Sequence, residues 1–286
     1  MAIAKSLEYA FNKEGMLKIG ETQLKGEPSA LNNPLYDAFE VAHTLRGLQW
    51  QFGQGVYIPK ETRPLQRGPF LRAALLSFIQ HFLLLDLLES AIKLFPGVGS
   101  PTGGTIFYPT LTPIQRYTVS TLIHAMTGTA IMVGFHMVYD LITSIAVGCF
   151  DSPPSSWPPV MDDPWRADSM HIFWAKRWHQ MLRQTFLVLG GYPGKRIAGN
   201  LGTLFGTFIA SGLFHECAMY SMGRGFDHTV LWFFALQGPI LILERWQSRI
   251  TGRRVGGWPG RLWVYSIMFV GGQPLSKWSL YRIPQC

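Results

Sequence analysis

The sequence predicts an all-α membrane protein whose helices cross the bilayer several times. Of its 286 residues, 48% are hydrophobic and only 15% are charged, against about 25% charged residues in an average soluble domain. The apolar residues also gather in long runs, separated by basic or proline-rich links. The composition excludes a disordered chain, which would be poor in apolar residues, and a disulfide scaffold, because three cysteines cannot crosslink this length.

Taken in order, the chain begins with a mixed segment, residues 1–68, which is expected to be cytosolic and to precede a membrane-embedded domain over 69–286. A membrane-spanning helix needs about 20 apolar residues. Carboxylates interrupt the first apolar run, so a buried helix of a soluble protein is the alternative for that segment. The second run is the longest and suits a tilted helix. The predicted crossings are 70–94, 117–150, 199–222, 228–246 and 262–270.

The positive charge is distributed unevenly. Residues 1–170 hold 12 Lys/Arg and 14 Asp/Glu, a net charge of −2, whereas residues 171–286 hold 13 Lys/Arg and 3 Asp/Glu, a net charge of +10. A basic half can indicate a nucleic-acid partner or an anionic membrane surface. Here the cations separate apolar runs, which favours a membrane and no nucleic acid. If each run crosses once, the basic groups share one face, and the positive-inside rule makes that face cytosolic.

Residues 171–190 have the periodicity of an amphipathic helix. At 100° per residue, Trp174 and Trp178 share an apolar face, Lys176 and Arg183 lie on another, and His179 is at the border. Tryptophan beside a basic stripe is typical of a helix at the membrane surface. The sequence therefore predicts an interfacial helix, whose tryptophans either anchor it there or contact a substrate.

Ionisable residues within the apolar runs are the candidate functional residues. His215 and Glu216 lie in the third run, and His215 is about 24 Å along a helix from residue 199, well inside the bilayer. Such residues are costly in hydrocarbon and usually face a cavity or a partner. A hydrogen-bonded structural histidine is the alternative for His215. His136 and Asp140 share a helical face in the second run and could line a cavity or simply form a structural pair.

Two sequence blocks carry a family resemblance. They read Phe173-Trp-Ala-Lys-Arg-Trp-His179 and Ser211-Gly-Leu-Phe-His-Glu216. Together they resemble the wax synthase-like branch of the membrane-bound O-acyltransferase family, especially fungal members of secondary metabolism. An upstream block, Leu45-Arg-Gly-Leu-Gln-Trp50, is similar to a third element of that family. The chain departs from the family pattern in two ways: most relatives have asparagine at the position of His179, and most contain more membrane helices.

The resemblance implies a shortened version of the family's helical fold. It also implies transfer of an acyl group, expected to be acetyl, from acyl-CoA to a hydroxyl of a terpenoid, another secondary metabolite or a fatty alcohol. His215 is then the general base, and His179 orients a substrate or donates a hydrogen bond to the oxyanion. The cations expected to bind the CoA phosphates, with lipid anchoring as their alternative role, are Lys176, Arg177, Arg183, Lys195 and Arg196. The expected substrate contacts are Trp174, Trp178, Glu216, His136 and Asp140.

Two other functions remain open for the same residues. Buried acids and histidines in an aromatic cavity would also suit a membrane-embedded terpenoid cyclase or isomerase, and the histidine in place of asparagine leaves room for a non-catalytic lipid-binding protein. The expected co-substrate is acyl-CoA, with no tightly bound cofactor. No metal is expected, because Cys149, Cys217 and Cys286 match no zinc spacing. The expected location is the endoplasmic reticulum, and the expected partners are the bilayer, acyl-CoA and a hydrophobic alcohol.

Overall fold

The computed structural model describes residues 2–11, 16–19, 34–98, 105–221, 225–226 and 228–276, which are α-helical apart from loops, short 3-10 and π turns and one isolated bridge. Cys286 and residue 222 of the third apolar run lie outside these residues. No β-strand occurs within the described ranges, which confirms the all-α class. The helices are α1 (Ala2–Phe11), α2 (Pro34–His43), α3 (Arg67–Lys93), α4 (Pro113–Cys149), α5 (Met170–Ile172), α6 (Arg183–Phe186), α7 (Tyr192–Ser221), α8 (Thr229–Thr251), α9 (Gly257–Tyr265) and α10 (Gln273–Ser276).

Within the described residues, three helical segments are long and apolar enough to cross a membrane, and they are Arg67–Lys93, Pro113–Cys149 and Arg183–Ser221. The protein is therefore a multi-pass membrane protein, but the prediction of five crossings is not met. Helix α8 has the length but not the composition, since its second half reads Leu-Glu-Arg-Trp-Gln-Ser-Arg. Helix α9 and the π turn that follows it, Ser266–Gly271, are together too short, at about 22 Å, to cross a hydrocarbon core of about 30 Å.

The third spanning segment is a helical hairpin, because the chain reverses inside α7. Ala198 (φ −138°) and Gly199 (φ +57°) leave the helical conformation, and a positive φ is adopted readily only by glycine. The two arms, 183–197 and 200–221, pack so closely that a Cβ on Gly190 would overlap the carbonyl oxygen of Gly206. Gly194 and Gly202 meet in the same way. Glycines at a spacing of four residues allow this close backbone approach.

The single interfacial helix predicted over 171–190 is interrupted. A π turn, Phe173–Arg177, ends where Trp178 adopts an extended conformation (ψ 152°), and helix resumes at Arg183. The break is stabilised by the buried Gln180, whose amide donates hydrogen bonds to the carbonyl oxygens of Trp174 (2.8 Å) and Trp178 (2.9 Å). The helical periodicity was correct on both sides of the break. It could not reveal a bend that depends on a side-chain hydrogen bond.

Helix α8 packs antiparallel against the second arm of the hairpin. A Cβ on Gly212 would come within 3.0 Å of Leu231, and one on Gly238 within 2.8 Å of the Phe205 ring. The end of α8 therefore lies level with the hairpin tip. The buried Glu244 accepts hydrogen bonds from the backbone N–H of Met170 (2.6 Å) and from the Trp263 indole (2.9 Å). This carboxylate joins α5, α8 and α9.

The N-terminal segment packs onto the helices that follow it. The carboxylate of Glu8, which is 1% exposed, accepts a hydrogen bond from the Thr185 hydroxyl (2.7 Å) on the hairpin. The Arg46 guanidinium donates to the carbonyl oxygens of Pro158 (2.9 Å) and Pro159 (2.7 Å). The upstream block Leu45–Trp50 is thus tied to the loop after α4. The cytosolic location of this segment stays a prediction.

Candidate active site

The hairpin explains how two histidines 36 positions apart reach one site. Gly190 faces Gly206 and Gly194 faces Gly202, so the two arms run antiparallel. A residue a given number of positions after Gly206 therefore lies opposite the residue the same number of positions before Gly190. His215 therefore lies level with the chain near residue 181, beside His179. Both rings line one cavity of about 890 Å³. The two predicted catalytic residues are thus brought together by the fold.

The cavity is walled mainly by apolar and aromatic side chains. Helix α4 contributes Phe135, the segment before the hairpin contributes Trp174 and Trp178, α8 contributes Phe234, and the C-terminal region contributes Met268. No aspartate or glutamate lines it within the described residues. Such a cavity suits a hydrophobic ligand, with its few polar groups available to orient the reacting atoms.

The hydrogen bond of His215 assigns its tautomer. Its Nδ1 lies 2.7 Å from the carbonyl oxygen of Ser211, and a carbonyl can only accept, so Nδ1 carries the proton. Nε2 then has the free lone pair that a base requires. The imidazole stacks on the Phe234 ring, with centroids 4.6 Å apart and planes at 22°. The ring is thereby fixed in orientation at the cavity wall.

His179 occupies a more apolar position. Its ring lies 4.9 Å from the Phe135 centroid and 5.2 Å from the Trp178 centroid. Among the described residues its Nδ1 has no hydrogen-bond partner. Burial, assisted by the neighbouring His215 imidazole, lowers the pKa of His179 to about 3. His179 is therefore a neutral imidazole at physiological pH.

This lowered pKa predicts a loss of stability in acid. A histidine that is harder to protonate in the folded state stabilises the fold above its unfolded pKa of about 6.5, and this contribution is lost as the pH falls towards 3. We expect the wild-type chain to lose about 2 kcal/mol more stability than His179→Asn between pH 7 and pH 5. Thermal unfolding in detergent at both pH values measures this. The exposed His171 provides the matched control, His171→Asn, and equal acid sensitivity of all three proteins would contradict the prediction.

Trp174 and Trp178, predicted as substrate contacts, do reach the cavity. The Trp174 indole N–H donates to Oε1 of Gln237 (3.0 Å), a residue that is 1% exposed in α8. The Trp178 ring stacks on the buried Phe173, with centroids 5.6 Å apart. These contacts point both indoles inward, so they form part of the cavity wall.

His136 and Asp140 do not line the cavity, and the structure corrects this expectation. Asp140 lies between α3 and α4, where its Oδ2 accepts hydrogen bonds from Ser77 (2.7 Å) and from Nδ1 of His81 (2.9 Å). His136 stacks on His81 with ring centroids 5.1 Å apart. Asp140 is held by hydrogen bonds at the contact between α3 and α4, as is usual for polar groups in apolar surroundings. Within the described residues, no hydrogen bond joins it to His136.

Glu216 is likewise absent from the cavity wall. It is 3% exposed, and its Oε1 accepts a hydrogen bond from the backbone N–H of His228 (2.9 Å), just before α8. Adjacent positions on a helix point 100° apart, so when His215 faces the cavity, Glu216 faces elsewhere. Glu216 holds the turn between α7 and α8, and the prediction of substrate contact is not supported.

The five cations predicted to bind CoA do not form one cluster. Arg183 begins the first arm of the hairpin, whereas Lys195 and Arg196 lie near its tip, about 18 Å away along the helix. Arg177 forms an ion pair with Asp162 (3.1 Å). Lys176 is exposed, with its ammonium 5.6 Å from the Tyr57 ring centroid. These residues are close in sequence, but the helical first arm places Arg183 at one of its ends and Lys195 and Arg196 at the other.

Sequence reasoning missed the contributions of α8. Phe234 stacks on His215 and Gln237 holds Trp174, but both lie in an ordinary apolar run outside the recognised blocks. A buried glutamine in such a run was the only signal, since polar side chains within an apolar helix usually bond to a neighbouring element.

Comparison with known proteins agrees with this geometry. Residues 157–236, which hold both histidines and the hairpin, match the model of the membrane bound O-acyl transferase family. The segment that holds both histidines is therefore similar to membrane-bound O-acyltransferases.

Individual relatives extend the similarity over most of the chain. The O-mevalon transferase yanI of Aspergillus niger is 27% identical over 95% of this chain and 68% of its own length. The O-mevalon transferase macI of Penicillium terrestre is 26% identical over 93% of the chain and 63% of its own length. An acyl-CoA–sterol O-acyltransferase of Arabidopsis thaliana is 33% identical over 28% of the chain and 26% of its own length. The chain thus spans about two thirds of the two fungal relatives, and no solved structure matches it.

Proposed function

We propose that this protein transfers an acyl group from acyl-CoA to a hydroxyl group of a hydrophobic small molecule, with His215 as general base. The observation that carries the proposal is the meeting of His215 and His179 on the wall of one apolar cavity, within the segment that matches the acyltransferase family. The Ser211 hydrogen bond supports the role of His215, because it leaves Nε2 as the acceptor.

The reaction requires one proton to move twice. The substrate hydroxyl gives its proton to Nε2 of His215 as its oxygen forms a bond to the thioester carbonyl carbon. The C–S bond then breaks, and the departing CoA sulfur takes the proton from the imidazolium. Phe234 lies stacked on the ring that becomes positive, and a cation over an aromatic face is attracted to it.

His179 is suited to hydrogen bonding and not to proton transfer. With a pKa of about 3 it holds no extra proton at neutral pH, and a neutral imidazole can donate its single N–H to the oxyanion that forms on the thioester carbonyl. The asparagine that most relatives have at this position is also a neutral donor.

The role of His179 predicts a partial rescue by the conservative variant. We expect His179→Ala to lower kcat about a hundredfold, in the range seen when one oxyanion donor is removed. His179→Asn should retain at least a tenth of wild-type turnover. Steady-state kinetics at saturating acyl-CoA provides the measurement. Equal turnover of the Ala variant and the wild type would contradict an oxyanion role.

Arg183 is the cation that the hairpin places best for the CoA phosphates. It is exposed at the start of the first arm, and no carboxylate pairs with it in the described part of the chain. Guanidinium groups bind phosphate through paired charged hydrogen bonds. Lys195 and Arg196 lie at the far end of the hairpin and do not share this position.

This assignment predicts an effect on acyl-CoA affinity alone. We expect Arg183→Gln to raise the KM for acyl-CoA about tenfold, equivalent to one lost charged hydrogen bond, with kcat nearly unchanged. The matched control is Lys60→Gln, which removes another exposed cation and should leave the KM unaltered. An unchanged KM in the Arg183 variant would exclude this site for the phosphates.

The acceptor is proposed to be an apolar alcohol, because the cavity wall is aromatic and aliphatic. Two fungal relatives are named as acetyltransferases, from Calcarisporium arbuscula and Hericium erinaceus, and these names favour an acetyl donor. A terpenoid or another secondary metabolite is proposed as the acceptor. Residence in the endoplasmic reticulum, with the basic loops facing the cytosol, is part of the same proposal. A cyclase is disfavoured, since an acid-driven cyclisation needs a proton donor and no carboxylic acid lines the described cavity.

The test is product formation by the purified full chain in lipid nanodiscs. Acetyl-CoA and longer acyl-CoAs are supplied with a panel of hydrophobic alcohols, and the ester and free CoA are quantified by mass spectrometry. Ester and CoA in equal amounts support acyl transfer. Isomerisation of an acceptor without CoA release would replace the proposal by a cyclase or isomerase, and ligand binding without turnover by a lipid-binding protein.

A further inference from the structure

One end of the molecule carries cations that acyl transfer does not use. It is formed by the hairpin tip, the end of α8, and the turn and first residues of α9. We call this group the tip patch, and its members are Lys195, Arg196, Arg245, Arg249, Arg253, Arg254 and Arg261.

The packing of three elements brings these residues to the same end. The contacts of Gly212 with Leu231 and of Gly238 with Phe205 run antiparallel, which sets the hairpin tip level with residues 244–245 of α8. The hydrogen bond from Trp263 to Glu244 (2.9 Å) then holds the start of α9 at the same level. Cations that are far apart in sequence therefore form one surface.

The charge of the tip patch is uncompensated. Within the described residues, none of its members has a carboxylate oxygen within 4 Å, and all are exposed except the half-buried Arg261. Elsewhere, Arg63 pairs with Glu61 (2.7 Å) and Arg67 with Asp151 (2.7 Å), and exposed cations such as Lys60 and Arg72 are far apart in the sequence from those of the tip patch. Unpaired positive charge is therefore concentrated at this end of the molecule, which favours the binding of an anionic partner.

Exposed apolar side chains are interleaved with these cations. Ile197 at the hairpin tip is 87% exposed, and Trp246, Ile250 and Trp258 are also exposed. The Arg261 guanidinium lies 5.4 Å from the Trp258 ring centroid. Indole rings at headgroup level with arginines beside them are typical of a surface that sits in the polar layer of a bilayer.

We propose that the tip patch binds the headgroups of anionic phospholipids and anchors this end of the protein in a negatively charged leaflet. The alternating cations and exposed tryptophans match a lipid surface, whereas a soluble phosphate compound would make no use of Ile197, Ile250 or Trp258.

The experiment measures lipid selectivity of the full chain in vesicles. Tryptophan fluorescence is quenched by brominated phosphatidylserine or by brominated phosphatidylcholine, and the ratio of the two binding constants is obtained. We expect the wild type to prefer phosphatidylserine. Arg253→Gln/Arg254→Gln should lower the ratio by about fivefold, since each cation near an anionic surface contributes severalfold to affinity. Adding Arg245→Gln/Arg249→Gln should bring it close to one.

Two matched variants and one competitor complete the design. Lys60→Gln/Arg72→Gln removes two exposed cations outside the patch and should leave the ratio unchanged, and Arg253→Lys/Arg254→Lys should retain it because charge is conserved. Thermal unfolding confirms that each variant is folded. A ratio equal in the wild type and the four-charge patch variant would overturn the proposal. Loss of the preference on adding millimolar CoA would also overturn it and assign the patch to a soluble phosphate ligand.

Discussion

His215→Asn is expected to abolish acyl transfer, with kcat falling at least about a thousandfold, while the protein stays folded. In the wild type, Nδ1 of His215 lies 2.7 Å from the carbonyl oxygen of Ser211, and an asparagine amide can still donate a hydrogen bond to that oxygen. The asparagine side chain has no basic atom to replace Nε2. Loss of a general base typically costs two to four orders of magnitude. Initial rates of ester formation, with a binding measurement for the alcohol, separate lost chemistry from lost affinity.

The matched control is Cys217→Ala, which changes an exposed residue two positions further along the same helix and should leave turnover unaltered. Thermal unfolding of the three proteins should agree within a few degrees. Turnover above a tenth of the wild-type value in His215→Asn would remove the general-base role and leave His215 as a structural residue of the cavity wall.

The second large effect is expected from the glycines of the hairpin. Gly206→Ala should destabilise the protein by about 3 kcal/mol, or roughly 10 °C in apparent Tm, because its Cβ would overlap the carbonyl oxygen of Gly190 and the arms must separate. Separation of the arms also shifts His215 relative to His179, so activity should fall with stability.

Gly148→Ala in α4 is the matched control for the same substitution. A Cβ there would meet only the flexible side chain of Leu71, at 3.5 Å, which is ordinary van der Waals contact. We expect its unfolding temperature to be close to that of the wild type. If both alanine variants unfold alike, the arms are not in contact at Gly206 and the hairpin register is wrong.

The sequence predicts those features that depend on residues close together in the chain, such as apolar runs and short motifs. The first two spanning helices follow from the length of their apolar runs. His215 and His179 follow from motifs whose chemistry needs those residue types. The sequence paired Asp140 with His136 on the same helix, whereas its hydrogen-bond partners are Ser77 and His81 on α3.

The remaining features depend on contacts between distant parts of the chain. Periodicity predicted one helix over 171–190, but the Gln180 side chain interrupts it. The sequence predicts one cluster of basic residues over 176–196, but the helical first arm separates Arg183 at its start from Lys195 and Arg196 near its tip. Glu216 was assigned to the cavity with its neighbour, although helix geometry turns it towards His228.

The sequence by itself determined that this is an all-α membrane protein with two motif histidines, because apolar run length and residue chemistry are local properties. Only the tertiary structure decided that these histidines share a cavity, which cations lie beside them and which lie at the tip patch. The physical reason is the glycine-lined hairpin: a single residue with positive φ and four missing Cβ atoms fold the third apolar segment back on itself. Distances between the charged residues and the two histidines are therefore set by helix packing and not by sequence separation.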